Sequence, residues 1–248
     1  MRTLAVYNLK GGVGKTTTAV NMAYLSSQQG FKTLIWDLDP QGASSWYFDS
    51  SHTRKISAKK ILQPQEIAYK YVQKTGYENL DIIPSDVSFR DLDHHLKEQG
   101  ELTYFSEVLN QFRDNYSLII LDCPPGISHL TDNVIYASDG ILMPVIPTWL
   151  SLHSYTQLKT YLKDNQLPRR HIYPFFNMVD VRKKLHMSWL RVPPSNIKKM
   201  LKTSINTSSN IEKMGAHRAP LETYDEQSDI AAAYRALWKE ISKKISVF

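Results

Sequence analysis

Short apolar runs alternate along this chain with stretches of helical periodicity. Residues 3–8 (TLAVYN), 32–37 (KTLIWD), 80–83, 118–122 (LIILD), 140–146 (GILMPVI) and 172–179 are apolar nearly throughout, which predicts strands covered on both faces. Between them, residues 15–29 set Ala19, Met22, Ala23 and Leu25 on one side of a helix, and residues 86–98, 102–113, 152–165 and 229–245 also carry helical patterns. Pro144 has no amide hydrogen to give, so its strand is expected at an edge or with a bulge. Strands and helices in this alternation build a mostly parallel central sheet with helices on both faces, a three-layer α/β sandwich. Residues 49–78 show no clear period. With no repeat and no low-complexity linker, residues 1–248 are expected to form one domain.

Composition narrows the class. Of 248 residues, 42% are apolar and 22% charged, which is globular rather than disordered. Cys123 stands alone, excluding a disulfide framework or a paired-cysteine metal knuckle. With no run of about 18 apolar residues, no membrane-spanning helix is expected. A strand-like run already begins at Thr3, leaving no room for a secretory signal, so the expected setting is cytoplasmic. The net charge of +6 is unevenly spread: residues 1–168 carry 15 basic and 17 acidic side chains, whereas residues 169–202 carry nine basic ones against Asp180 alone. Charge concentrated in this way suggests a polyanionic partner, nucleic acid or an anionic membrane surface.

The densest chemistry lies at Lys10-Gly11-Gly12-Val13-Gly14-Lys15-Thr16-Thr17, between a predicted strand and a predicted helix. Glycines let successive backbone N–H groups converge on phosphate oxygens, and the helix N-terminus adds partial positive charge. Lys15 is expected at the β- and γ-phosphates, the Thr16 hydroxyl on Mg²⁺, and Thr17 near the α-phosphate. Lys10 adds a second cation where an ordinary phosphate loop requires none, suited to transition-state charge on the phosphates of a partner subunit. Asp122 ends an apolar strand, where ligands bind in open α/β sheets, and is expected to hold Mg²⁺. In Asp37-Leu38-Asp39-Pro40-Gln41-Gly42 the two acids face one side; Asp39 is expected to orient the attacking water, with Asp37 nearer the metal.

Together these motifs resemble the ParA/MinD group of deviant-Walker P-loop ATPases, along nearly the whole chain. KGGVGKTTT matches the group's phosphate loop with Lys10 as its signature lysine, DLDPQG at 37–42 its switch motif, and LIILDCPPG at 118–126 its metal-binding strand and second switch. NMVD at 177–180 sits where relatives place base-contacting residues, which brings in Asn177, and YDEQSDIAAAYRALWKEI at 224–241 resembles the closing segment of ParA proteins. The resemblance implies a P-loop NTPase fold and a homodimer with ATP and Mg²⁺ sandwiched between subunits, Lys10 acting in trans. It further implies slow hydrolysis needing Asp39, ATP-dependent binding of non-specific double-stranded DNA, nucleoid association, and a ParB-like or cargo-adaptor partner that stimulates hydrolysis. Relatives often carry Ile-Pro-Arg-Asn late in the chain; here residues 205–210 read INTSSN, and those basic positions are lost.

The basic stretch supplies Arg169, Arg170, Arg182, Lys183, Lys184, Arg191, Lys198, Lys199 and Lys202; of these Arg182, Lys183, Lys184, Lys198, Lys199 and Lys202 are the DNA-contact candidates, and Lys198, Lys199, Lys202, Lys213 and Arg218 are the cations expected to compensate for the lost basic positions. At the end of the chain Leu237, Trp238, Ile241, Ile245 and Phe248 form an apolar stripe. A helix packed on the sheet accounts for it better than the lipid-binding helix of MinD-like relatives, so a membrane partner is not expected, and a MinD-like membrane-associated regulator of division or polar placement stands as the alternative. A metabolic P-loop enzyme such as an amidoligase is a third reading, for which the sequence offers no substrate pocket. A nitrogenase-reductase function is disfavoured because a shared cluster needs two cysteines per subunit. Cys123 reads as a small buried apolar residue. His94 and His95, adjacent on a helix, are expected to point apart.

Overall fold

The computed structural model describes residues 1–50, 56–63, 68–168 and 171–247. In chain order the elements are β1 (Arg2–Val6), α1 (Lys15–Gln28), β2 (Thr33–Asp37), α2 (Ala43–Tyr47), α3 (Ala58–Ile61), β3 (Gln73–Lys74), β4 (Leu80–Ile83), α4 (Leu92–Gln99), α5 (Tyr104–Asn110), β5 (Leu118–Asp122), α6 (His129–Ala137), β6 (Gly140–Val145), α7 (Trp149–Asp164), β7 (Ile172–Phe176), α8 (Lys184–Arg191), α9 (Ser209–Glu212), α10 (Met214–His217), α11 (Glu222–Asp225) and α12 (Asp229–Lys244). The strands form one sheet in the order β3-β4-β2-β5-β1-β6-β7, parallel except where β3 pairs with β4.

Alternation along the strands feeds two cores. Ala5, Trp36, Ile119 and Leu121 join Phe105, Val134 and Leu158 on one face, while Leu4, Val6, Ile35 and Ile120 join Ala19, Met22, Leu237 and Trp238 on the other. Side chains buried on both faces explain why the strands read as unbroken apolar runs. The expected three-layer P-loop architecture is therefore present, with α1 and α12 on one face and α4 to α7 on the other.

Three local expectations need correcting. Pro144 lies in an interior strand, between β1 and β7, with no bulge in its register. Pairing of β6 with β1 ends at Leu142 opposite Val6, and beyond that point the Asn8 side-chain amide donates to the Pro144 carbonyl at 2.7 Å. The absent N–H thus falls where β1 has already left the ladder. The helix expected over 86–98 is broken: Asp86 accepts the Ser88 amide, a 3₁₀ turn follows over Val87–Asp91, and α4 starts only at Leu92. His94 and His95 do not diverge; both approach the Glu98 carboxylate at 3.3 Å, although no group of three or more His, Cys, Asp and Glu among the described residues is arranged to hold a metal.

The C-terminal helix is docked. Leu237, Trp238, Ile241 and Ile245 are buried, and Trp238 Nε1 donates to Gln29 Oε1 at 2.9 Å. These four residues of its apolar stripe are therefore spent on the core; the fifth, Phe248, lies outside the described residues. No helix among the described residues is long and apolar enough to cross a membrane. The β7 edge is covered as well: the Leu201 and Ile205 amides donate to the Pro174 and Phe176 carbonyls at 2.8 and 2.9 Å, so residues 201–207 run along it and blunt an otherwise open edge.

Candidate functional site

Strands β1, β2, β5 and β7 end on one side of the sheet, and the chain leaving each end supplies one part of the site. After β1, the loop carrying Gly11 to Gly14 turns into α1. Gly12 and Gly14 hold φ of +69° and +85°, a region closed to most side chains, and a Cβ on Gly14 would collide with the Asn177 amide. Asn177, leaving β7, is buried and donates through Nδ2 to the Val13 carbonyl at 2.8 Å. Gly14 provides no side-chain cap, so the free N–H groups of the first turn of α1, at Lys15, Thr16 and Thr17, stay available at the loop.

The two lysines of the loop differ sharply. Lys15 is buried, and its Nζ donates to the Lys10 carbonyl at 2.9 Å. Burial lowers its pKa, and the nearby Asp122 carboxylate opposes that shift. Lys10 is held by its backbone, its amide donating to Asn8 Oδ1 at 3.0 Å. Lys10 is half-buried as a residue, and its ammonium makes no hydrogen bond or ion pair among the described residues.

Asp37 and Asp122 face each other at the ends of the paired strands β2 and β5, both fully buried. Burial raises the pKa of each; the charge of Asp122 raises Asp37 further, and the Ser44 and Thr16 hydroxyls pull Asp122 back down. Asp37 Oδ2 accepts the Ser45 amide at 2.8 Å and the Ser45 hydroxyl at 2.7 Å, and its Oδ1 takes the Asp39 amide at 3.3 Å. Asp122 Oδ2 accepts the Ser44 hydroxyl at 2.6 Å, whereas its Oδ1 is buried without a hydrogen-bond partner. Leaving a buried carboxylate oxygen unmatched costs roughly 1–3 kcal/mol or more. A hard cation held by oxygens offsets that cost, so the residues present, Asp122 with the adjacent Thr16 hydroxyl, fit Mg²⁺.

Asp39 is half-exposed; its Oδ1 accepts the Gln41 amide at 2.9 Å, and its carbonyl accepts the Ser85 hydroxyl at 2.5 Å. The turn after β5 is tied to the phosphate loop, since the Gly126 amide donates to the Leu9 carbonyl at 3.0 Å and the Tyr7 hydroxyl donates to the Gly126 carbonyl at 2.7 Å. Beside Gly14 and Thr17 lies a cavity of about 160 Å³, bordered by Asn177, Met178, Asn206, Ile211 and Tyr234. Its apolar walls with a few amides suit a flat heterocycle. Ser44, Ser45, Ser85 and the cavity residue Ile211 escape a motif reading because nothing in their spacing marks them, the position of Ser44 and Ser45 just beyond DLDPQG being the one signal for that pair; Met178 and Tyr234 fall inside NMVD and the closing segment without being singled out there.

The basic candidates gather at the β7 edge. Arg182, Lys183, Lys184, Lys198, Lys199 and Lys202 are all exposed. Arg182 is forked onto Asp180, Nε to Oδ1 at 2.9 Å and Nη2 to Oδ2 at 3.0 Å, which holds the Asp180 carboxyl down to about 2. Lys199 lies 5.7 Å from the Tyr173 ring centroid, and the Lys202 amide is fixed by Glu240. Of the compensating cations, two are engaged elsewhere: Lys213 donates to Asn210 Oδ1 at 3.0 Å, and Arg218 lies over the Trp46 ring and pairs with Asp49 at 2.6 Å. Arg169 and Arg170 lie outside the described residues.

The family model described as an AAA domain matches residues 1–171. The chromosome-partitioning ATPase Soj of Treponema pallidum (strain Nichols) is 29% identical over 246 residues, covering 97% of this chain and 96% of Soj. Two solved structures share the fold. The septum site-determining protein MinD of Pyrococcus horikoshii OT3, complexed with Mg-ADP, superposes with a TM-score of 0.78 at 21% identity, covering 98% of this chain and 96% of MinD. Cobyrinic acid a,c-diamide synthase of Mycobacterium smegmatis, with bound ATP analogue and magnesium, gives a TM-score of 0.81 at 22% identity, covering 96% and 93%.

Proposed function

Because the chain belongs to this AAA-domain family, as a P-loop ATPase of the ParA/MinD type, we propose that it is a nucleotide-driven switch that pairs two copies around ATP, binds DNA without sequence preference in that state, and positions DNA or another cargo. The phosphate loop from Gly11 to Thr17 cradles the triphosphate, Lys15 exchanges its contact with the Lys10 carbonyl for the β- and γ-phosphates, and Asn177 borders the base. Mg²⁺, held by Thr16 and Asp122, neutralises phosphate charge when bound. Asp39 orients the attacking water from its half-exposed turn.

The observation that carries this reading is the pair of lysines on one loop. Lys15 is turned inward onto its own loop, while the Lys10 ammonium has no partner among the described residues of its chain. A second copy facing the loop gives that cation a phosphate to meet, in the manner of a charge supplied in trans. Two copies also double the lysines offered by each β7 edge, so a weak, salt-dependent attraction to DNA becomes firm only in the dimer. Hydrolysis removes the shared γ-phosphate, the copies separate, and DNA is released. A partner protein that hastens hydrolysis sets the lifetime of the bound state, as expected of partition ATPases.

DNA retention tests the reading. With a non-hydrolysable ATP analogue and Mg²⁺, duplex DNA is expected to be retained at low salt and progressively lost as salt rises. Equal retention with ADP, or none at low salt with the analogue, contradicts it.

A further inference from the structure

We propose that Ser44 and Ser45, at the start of α2, are positioning residues that give the two buried acids different tasks. Ser44 turns Asp122 so that Oδ1 faces the cation, and Ser45 withdraws Asp37 from the cation to make it the anchor of the Asp39 turn. This rests on the reading of Asp122 as the metal-holding acid.

The hydrogen-bond directions carry the argument. The Ser45 hydroxyl accepts the Ser85 amide at 2.8 Å, so its single hydrogen is left for Asp37 Oδ2 at 2.7 Å. The Ser45 amide reaches that same oxygen at 2.8 Å, and the Asp39 amide reaches Oδ1 at 3.3 Å. Asp37 thus accepts three hydrogen bonds from its own switch segment, two on Oδ2 and one on Oδ1. Ser44 contributes only a hydroxyl to Asp122, at 2.6 Å on Oδ2, and the second oxygen stays buried without a partner. Held through one oxygen and packed fully out of solvent, the Asp122 carboxylate has the direction of its free oxygen set before a cation arrives. Groups that orient a ligating carboxylate typically influence metal affinity about 10–100-fold. The Asp39 carbonyl accepts the Ser85 hydroxyl at 2.5 Å, so the turn bearing the water-orienting acid is fixed on one flank by Ser45 through Asp37 and on the other by Ser85, whose amide is itself bonded to Ser45.

The test measures the factor by which Mg²⁺ tightens binding of a fluorescent ATP analogue, comparing excess Mg²⁺ with excess EDTA. Ser44→Ala is expected to shrink that factor about tenfold while leaving affinity in EDTA unchanged. Ser44→Thr, which keeps the hydroxyl, is expected to restore it. Asp37→Asn is expected to keep the native factor, whereas Asp122→Asn abolishes it. A folded Ser44→Ala protein with the native factor overturns the proposal, as does Asp37→Asn losing the factor as fully as Asp122→Asn. If Ser44→Ala does not fold, the contrast between Asp37→Asn and Asp122→Asn still decides. Failure of the native protein to bind the analogue in either condition would instead sink the proposed function.

Discussion

Gly14 and Asn177 lie far apart in sequence and interlock at the site: the glycine has no side chain because the amide occupies its place, and the amide is held by the neighbouring Val13 carbonyl. The sequence announces Gly14 through local spacing, but the reason for it is supplied by a strand end the motif does not contain. Lys10, Lys15, Thr16 and Asp122 were legible because each is defined within a run of a few residues. The Ser44 and Ser45 contacts were not, since their acids are assigned by the fold of α2 against two strand ends. His186 shows the same dependence. It is buried, and its Nδ1 accepts the Asp180 amide at 3.0 Å, which an imidazolium cannot do. Burial first, and Lys183 second, lower its pKa, while Asp180 opposes them. A histidine with a lowered native pKa contributes stability that is present above its unfolded value of 6.5 and lost as pH falls below it. His186→Asn, whose amide oxygen can take the same N–H, is therefore expected to lose less melting temperature than the native chain between about pH 7.5 and about pH 5.5. Equal losses would contradict a neutral, buried His186.

At the scale of elements, long periodic segments were readable and short ones were not. The five interior parallel strands (β2, β4, β5, β1 and β6) and α1, α7 and α12 follow from their apolar periods. The four-residue helices α9, α10 and α11 have no room for a period and are fixed by tertiary bonds such as the Asn21 side chain accepting the Leu221 amide at 2.9 Å. Pro144 was misplaced because the edge rule counts a lost ladder bond, and here the neighbouring strand had already ended. The docking of α12 gives a direct prediction. A Cβ on Gly140 would come to 2.5 Å from Ile245 Cγ2, so β6 and the end of α12 have no space between them. Gly140→Ala is expected to destabilise the fold by about 1–3 kcal/mol, read as a melting point lower by several degrees. An unchanged melting point would mean that the helix end is not seated on the sheet.

For the whole molecule, function is organised by which side of the sheet each loop leaves. The phosphate loop, the Asp37–Asp39 switch, Asp122 and Asn177 all follow strand C-termini, as parallel topology requires. The excess positive charge runs along the β7 edge, on segments adjoining that same side through Asn177 and Asp180. The phosphate loop and the basic edge proposed to meet DNA are therefore neighbours in one chain, and the proposed pairing of two chains across the loop would bring both sets together. Charge distribution was legible from composition alone; the bidentate hold of Asp180 on Arg182, and the engagement of Lys213 and Arg218, were not, because ion pairing depends on loop geometry.

The central claim is that Lys10 serves a nucleotide other than its own. Its most direct test is sedimentation of the native chain and of Lys10→Ala with a non-hydrolysable ATP analogue and Mg²⁺, alongside binding of the same analogue. The account predicts that both bind the analogue, that the native chain sediments as a dimer, and that Lys10→Ala remains a monomer. A Lys10→Ala protein that dimerises with the analogue as readily as the native chain would contradict it.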